Sequence, residues 1–328
     1  MSLVELTNAN AHAPLRYARD SLQRLQCSTS LDEATCRRVD DFLRERPEEL
    51  LRVYKRHGSD WTYDLTFLRH LPSLRRLWID ADAGDLNDLA PLEVLPEGLV
   101  ELTLDTVAYG SDRARDKPKQ NAAILQRFRS LESLSICGAL RDLDFLAGLP
   151  QLRSLHLWRN KLRDLRGIEH VAGLRHLELH ASGARDLAPL RGLAALESLE
   201  IWDQRTMLDL APLGDLHALA SLQLVSCGKT LDLPSFAANC ALRVLVIDKL
   251  ATPANLAHVA AAPALRCLVL SGSPAFVDAD ALQALAGHPT LRELRLEYDD
   301  ESEVEDIRRR YGWKVAYCNF ADAGDFPD

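Results

Sequence analysis

Four side chains of metal-ligating type, His156, His176, Glu178 and His180, fall in one short stretch of the chain, with Ser154 beside them. Zinc or manganese chemistry needs three or four such atoms converging on one point, at about 2 Å for zinc. Acyl transfer would use Ser154 as nucleophile and His176 as its base, with backbone N–H groups aimed at the developing oxyanion. A third set is aromatic. Trp78, Trp158 and Trp202 are three of the five tryptophans, and Arg159, Glu200 and Asp203 lie beside the last two. Large rings beside charges are the material of protein-binding hot spots. Which chemistry is open depends on the elements that carry these residues.

A Leu-x-x-Leu-x-Leu core supplies those elements. It recurs ten times, with Leu or Ile in last place, beginning at Leu74, Leu99, Leu131, Leu152, Leu174, Leu196, Leu219, Leu242, Leu265 and Leu291. Successive spacings are 25, 32, 21, 22, 22, 23, 23, 23 and 26 residues. Within each core the last two apolar residues flank a polar one, which is strand periodicity. The return segment, as in Asp186-Leu187-Ala188-Pro189-Leu190-Arg191-Gly192-Leu193, turns its leucines toward those of the strand. One coil cannot bury both sets alone, so coils must stack and share an apolar column. Asp64, Asp142, Asp164, Asp186, Asp209, Asp232 and Asn255 stand about ten residues before a first leucine, with Asp88 and Asp280 one step earlier. They are expected as helix N-caps.

These residues resemble the leucine-rich repeat family, and Leu152-Arg-Ser-Leu155-His-Leu157-Trp-Arg-Asn160-Lys-Leu162 matches its consensus throughout. The Asp-Leu-x-x-Leu-x-x-Leu returns are similar to the bacterial, internalin-like class of about 22 residues. The resemblance implies an α/β fold: a right-handed solenoid with a curved parallel sheet on its concave face and short helices or 3-10 turns on the convex one. The family's buried Asn ladder is poorly kept, with Asp82, Val107, Ala139, Ser182, Gln204, Cys227, Leu250, Ser273 and Asp299 at equivalent positions.

Residues 1–47 are expected as an N-terminal helical cap, 48–300 as ten to eleven coils, and 301–328 as a C-terminal helix-strand cap and tail. Ser30-Leu-Asp-Glu33 reads as a capping box opening a helix that stops near Pro47. A short helix is expected over 14–27 and a degenerate first strand at 50–54. The far end is expected as a helix over 302–311 and a strand from Trp313. The insertion 109–120 reads as an exposed loop.

About one residue in five is leucine, aromatics make up 6%, and the net charge is −9. An acidic balance disfavours nucleic acid as a ligand, because phosphate binding needs a basic footprint. No apolar run is long enough for a membrane span, and the first residues lack a secretory signal. Seven scattered cysteines without a Cys-x-x-Cys pair point to a reducing, cytoplasmic setting.

The second, fourth and sixth positions after each first leucine should line the concave face in three rows. Those rows hold eight carboxylates (Asp80, Glu101, Asp105, Glu178, Glu200, Asp248, Glu293 and Glu297) against Arg76 and Arg295. The expected site is therefore a protein-binding patch of Trp78, His156, Trp158, Arg159, His176, Glu178, His180, Glu200, Trp202 and Asp203. Its partner would be a basic protein, bound by a monomer that uses no metal or cofactor. A bacterial immunity or inhibitor protein is the sharpest form of this expectation. The alternatives are a secreted effector or scaffold for host proteins and, from another class, a metal-dependent hydrolase at His156 and His180. A flat sheet argues against the hydrolase, because it projects side chains in parallel rather than toward one point.

Overall fold

Leu77, Leu102, Leu134 and Leu155 stand opposite one another on successive strands, as do Ile79, Leu104, Ile136 and Leu157, and all eight are fully buried. Each costs little ordering entropy relative to its burial, worth about 1.5–3 kcal/mol gross. The repeat thus becomes a column of aliphatic layers. The structure, a computed structural model, describes residues 3–9, 24–56, 60–81, 89–105, 121–160, 162–204, 208–227, 233–249, 255–271, 281–296, 301–311 and 313–317. The chain divides into two compact units, residues 1–162 with 166–171, and residues 163–165 with 172–328.

The first unit carries strands β1 (Leu3–Glu5), β2 (Arg24–Cys27), β3 (Leu50–Tyr54), β4 (Arg76–Asp80), β5 (Glu101–Asp105), β6 (Ser133–Cys137) and β7 (Ser154–Trp158). They pair in chain order, every pair parallel. The second unit repeats the plan with β8 (His176–His180), β9 (Ser198–Trp202), β10 (Ser221–Val225), β11 (Val244–Asp248), β12 (Cys267–Ser271), β13 (Glu293–Leu296) and β14 (Lys314–Tyr317). Between strands run 3-10 turns such as Ala90–Val94, Ala123–Arg127, Asp144–Gly148 and Ala188–Gly192. Each closes with an i→i+3 bond, as from Leu92 N to Leu89 O at 3.0 Å and from Leu190 N to Leu187 O at 2.9 Å. Pro91, Pro189 and Pro212 sit in the first turn, where no N–H is required.

The acidic residues ahead of these turns sit one position earlier than expected. Leucine holds the cap position (Leu65, Leu143, Leu187, Leu210), and the preceding Asp accepts the N–H two residues on. Asp186 takes it from Ala188 at 2.7 Å and Asp209 from Ala211 at 2.9 Å. A 3-10 turn needs its cap residue inward, so the leucine enters the core and the Asx turn forms just outside. Asp88, Asp232 and Asp280 lie outside the described residues.

Four of the described Asn-ladder positions make hydrogen bonds, while Ala139 has no side chain that could. Asn160 is fully buried and accepts from Leu162 N at 2.9 Å while donating to Leu157 O. Ser182 accepts from Ala184 N at 3.2 Å, Gln204 donates to Ala184 O, and the Cys227 thiol faces Ile201 O at 3.5 Å. Val107, Leu250 and the insertion 109–120 lie outside the described residues.

At the N-terminus a helix α1 (Glu33–Glu45) packs against the 3-10 turn Thr66–His70. Its cap is Asp32, which accepts from Thr35 N at 2.7 Å, and not Ser30. Ser30 is held by other bonds: its hydroxyl donates to Asp64 O at 3.2 Å and takes the Trp61 indole N–H at 3.3 Å. Residues 24–27, expected as the end of a helix, form β2 instead, because Leu25 and Cys27 alternate inward with Arg24 and Gln26. The strand at 50–54 stands as expected. A short helix α2 (Leu256–Ala260) replaces the 3-10 turn in one coil, with Asn255 as its cap. Helix α3 (Glu301–Tyr311) precedes β14, in the order the sequence implies. Among the described residues no helix is long and apolar enough to cross a membrane.

Candidate functional site on the sheet face

Strand geometry puts every second side chain on the open face of the sheet. Burial alternates accordingly along β4 to β9, with the leucines in and the row residues half-exposed. The residue after each of the strands β7 to β11 takes a left-handed conformation, at Arg159 (φ 52°), Ala181 (48°), Asp203 (52°), Ser226 (54°) and Lys249 (49°). Its N–H extends the ladder by one bond, as from Asp203 to Val225 O at 3.0 Å and from Ser226 to Asp248 O at 2.9 Å. Arg159 and Asp203, both expected in the site, thus occupy this turn position as exposed residues just beyond Trp158 and Trp202.

In the first unit the face is a network of ion pairs. Arg52 on β3 binds Asp80 (Nε to Oδ2, 3.0 Å), and Arg76 on β4 binds Glu101 (Nε to Oε2, 2.8 Å). Trp78, one of the expected anchors, lies beneath two guanidinium groups, Arg24 at 5.0 Å and Arg52 at 4.5 Å from its ring centroid. Cation–π contacts of this kind hold the ring in one orientation. Trp158 ends β7 half-buried. His156 is bonded to Ser154 on its own strand, Nε2 to Oγ at 2.8 Å. That pair lies along one strand, and a short Ser–His contact by itself is not a hydrolase site, which also needs donors aimed at an oxyanion. Cys137 neighbours Asp105, and burial followed by that carboxylate pushes its thiol up to about 12.

The second unit holds the remaining expected residues. Glu178 on β8 and Glu200 on β9 are directly opposite, as are His180 and Trp202, and His176 is exposed opposite Ser198. Trp202 donates its indole N–H to Glu200 Oε2 at 3.2 Å, and Gln223 on β10 donates to Oε1 at 3.1 Å. His180 Nε2 stands 3.7 Å from Glu178 Oε2 and stacks on Trp202, ring centroids 5.2 Å apart. Like charges directly opposite on a sheet are destabilising, so this pair concentrates negative potential at a structural cost.

Two other carboxylates of the face are engaged as well. Arg295 binds Glu293 at 2.8 Å. Asp248 is 1% exposed and takes the Ser271 hydroxyl at 2.8 Å. Val246, Cys267 and Val269 form a buried cluster with Val244 against it, so that stretch of the face packs rather than presenting an open footprint. Glu297 lies outside the described residues. The rows expected from the leucine pattern begin at β4 and so leave out Arg24, Arg52 and Tyr54. The alternation Leu25-Gln-Cys27 and Leu51-Arg-Val53 is the signal that marks those strands. Among the described residues no three His, Cys, Asp or Glu side chains group as a metal site.

The coils, ladder and parallel register define a leucine-rich repeat fold. Its structural neighbours are leucine-rich repeat proteins, several of them Listeria internalins. An internalin (inlF) of Listeria monocytogenes is 19% identical over 84% of this chain and 81% of its own, with a TM-score of 0.52. Internalin C2 of the same species is 22% identical over 52% and 74%, with a TM-score of 0.41. A leucine-rich repeat protein of Leptospira interrogans is 14% identical over 77% and 74%, with a TM-score of 0.46. No family model and no curated protein matches the chain. At these identities the likeness is one of fold.

Proposed function

We propose that this chain is a protein-binding module whose second unit receives a basic segment of a partner protein at Glu178 and Glu200, with Trp202 and His180 as the aromatic wall. The facing carboxylates carry this reading. Two negative charges on adjacent strands, about 4.8 Å apart at the backbone, suit an arginine or lysine side chain laid across them. The Trp202 ring adjoins them and offers a cation–π surface to the same group. A net charge of −9 favours steering of a basic protein toward the chain.

The finer reading is an inhibitor of immunity type, sequestering a basic toxin or effector enzyme inside the bacterial cell. Six cysteines among the described residues are free thiols, which favours a reducing cytoplasm over an oxidising exterior. The fold supports binding without catalysis.

Capture from lysate of the source cell, followed by identification of the bound protein, tests the reading. Wild type should retain a basic partner that Glu178→Gln with Glu200→Gln, and Trp158→Ala with Trp202→Ala, both release. A folded double variant that keeps every specific partner would rule out this face.

A further inference from the structure

A separate feature lies in the first unit and does not rest on the Glu178–Glu200 reading. Three arginines on or beside its face are paired: Arg52 with Asp80, Arg76 with Glu101, and Arg56 with Glu5. Arg24 is different. Among the described residues no hydrogen bond or ion pair engages it, and its Nε is shut off from solvent without an acceptor. Its guanidinium is nonetheless held in place, over Trp78 at 5.0 Å.

The carboxylate on the adjoining strand cannot serve it. Glu5 Oε2 accepts from Gln26 at 2.8 Å and Tyr54 at 3.0 Å, while Oε1 accepts from Ser28 at 3.0 Å and pairs with Arg56 at 3.2 Å. A carboxylate offers about four acceptor positions, so those of Glu5 are taken. Arg52, the other guanidinium on Trp78, is already neutralised by Asp80. Among the described residues, Arg24 is therefore a positive charge that is oriented, desolvated at Nε and unmatched.

We propose that Arg24, braced on Trp78, anchors a carboxylate of a protein partner, gripping it end-on through Nη1 and Nη2. An arginine–carboxylate fork is the strongest pairing open to this group. The indole fixes the guanidinium beforehand, which lowers the ordering cost of binding. Leu50, half-buried and in register with Arg24 on β3, gives the carboxylate's carbon chain an apolar shoulder. The chain's overall negative charge argues for a local carboxylate over a nucleic-acid backbone.

The test titrates the full-length protein with three probes, following the Trp78 indole N–H resonance, assigned with Trp78→Phe. The probes are a blocked peptide of alternating aspartate and glycine, a neutral glycine-serine peptide with a free C-terminal carboxylate, and a single-stranded oligonucleotide. The aspartate peptide or the free terminus, whichever matches the natural source, should shift the resonance. Arg24→Gln should weaken that binding about tenfold or more and Arg24→Lys less, with thermal unfolding unchanged. Three results would each overturn the proposal: no response to either carboxylate peptide at millimolar concentration, equal binding by Arg24→Gln, or an oligonucleotide that binds more tightly than both peptides.

Discussion

The imidazole of His180 lies flat on the indole of Trp202, ring centroids 5.2 Å apart and planes within 6° of parallel. The contact crosses from β8 to β9, and the Trp202 indole N–H is at the same time bonded to Glu200. The ring is thus fixed on one face and along one edge before any partner arrives. Preorganised aromatics of this kind lose little entropy on binding.

Replacing Trp202 by Ala should weaken partner binding by about 2 kcal/mol or more, as for a central aromatic anchor. The cost to folding should be smaller, near the ~0.5–1.5 kcal/mol typical of one aromatic pair beyond its area burial. Binding isotherms and urea midpoints on the same variant separate the two. Equal losses in both would make Trp202 a structural residue.

Gly148 marks a close approach between two coils. A Cβ there would stand 2.5 Å from Gln126 Cβ and 2.6 Å from its Cα. Gly148→Ala should therefore push apart the turns Ala123–Arg127 and Asp144–Gly148 and destabilise by about 1–3 kcal/mol. At Gly98 the added carbon meets only the tip of the Arg75 side chain, so Gly98→Ala should cost much less. Urea unfolding of the two variants side by side checks the contrast.

Acid should loosen the first unit through its caps. The Thr35 backbone N–H, with the Thr35 hydroxyl, holds the Asp32 carboxyl below its ordinary value of 3.8, and Thr66 does the same for Asp64. A lowered folded value means the stabilisation is present above 3.8 and is lost as pH falls through the folded values. Asp64→Asn keeps the acceptor without the titration, so its urea midpoint should vary less with pH below that value. An unchanged slope would remove Asp64 from the account.

Alkali should act on the buried thiols. Burial raises Cys36 to about 11 and Cys227 to about 12 from 9.0, with nearby carboxylates adding to the shift. A raised folded value leaves stability intact below 9.0 and erodes it as pH climbs through the folded values. At about pH 8 an aromatic disulfide reagent should modify the exposed Cys240 quickly and leave Cys36 and Cys227 untouched until unfolding. Fast labelling of Cys227 in the folded protein would contradict its burial.

Much of the fold was legible because the signal is local and repeated. Leu152, Leu155 and Leu157 predict a strand with Ser154, His156 and Trp158 outward, and β7 has that pattern. The same reading missed β2, where Leu22 and Leu25 keep the repeat spacing but Cys27 stands where the other coils have Leu or Ile. It also placed the caps of the 3-10 turns one residue early, since Asx turns before a 3-10 turn and true N-caps share the same residue types.

The sequence by itself determined the coil, its core and the rows of the sheet face, because period and residue type are properties of the chain read a few residues at a time. It determined the net charge as well. Only the tertiary structure decided which charges count. Asp80 is cancelled by Arg52 from a strand 28 residues upstream, and Asp248 is withdrawn against Ser271, 23 residues downstream. Glu178 and Glu200 remain side by side because β8 and β9 pair in register. A carboxylate's effective charge depends on what the neighbouring strand places beside it, and neighbours in a parallel sheet are a whole coil apart in sequence.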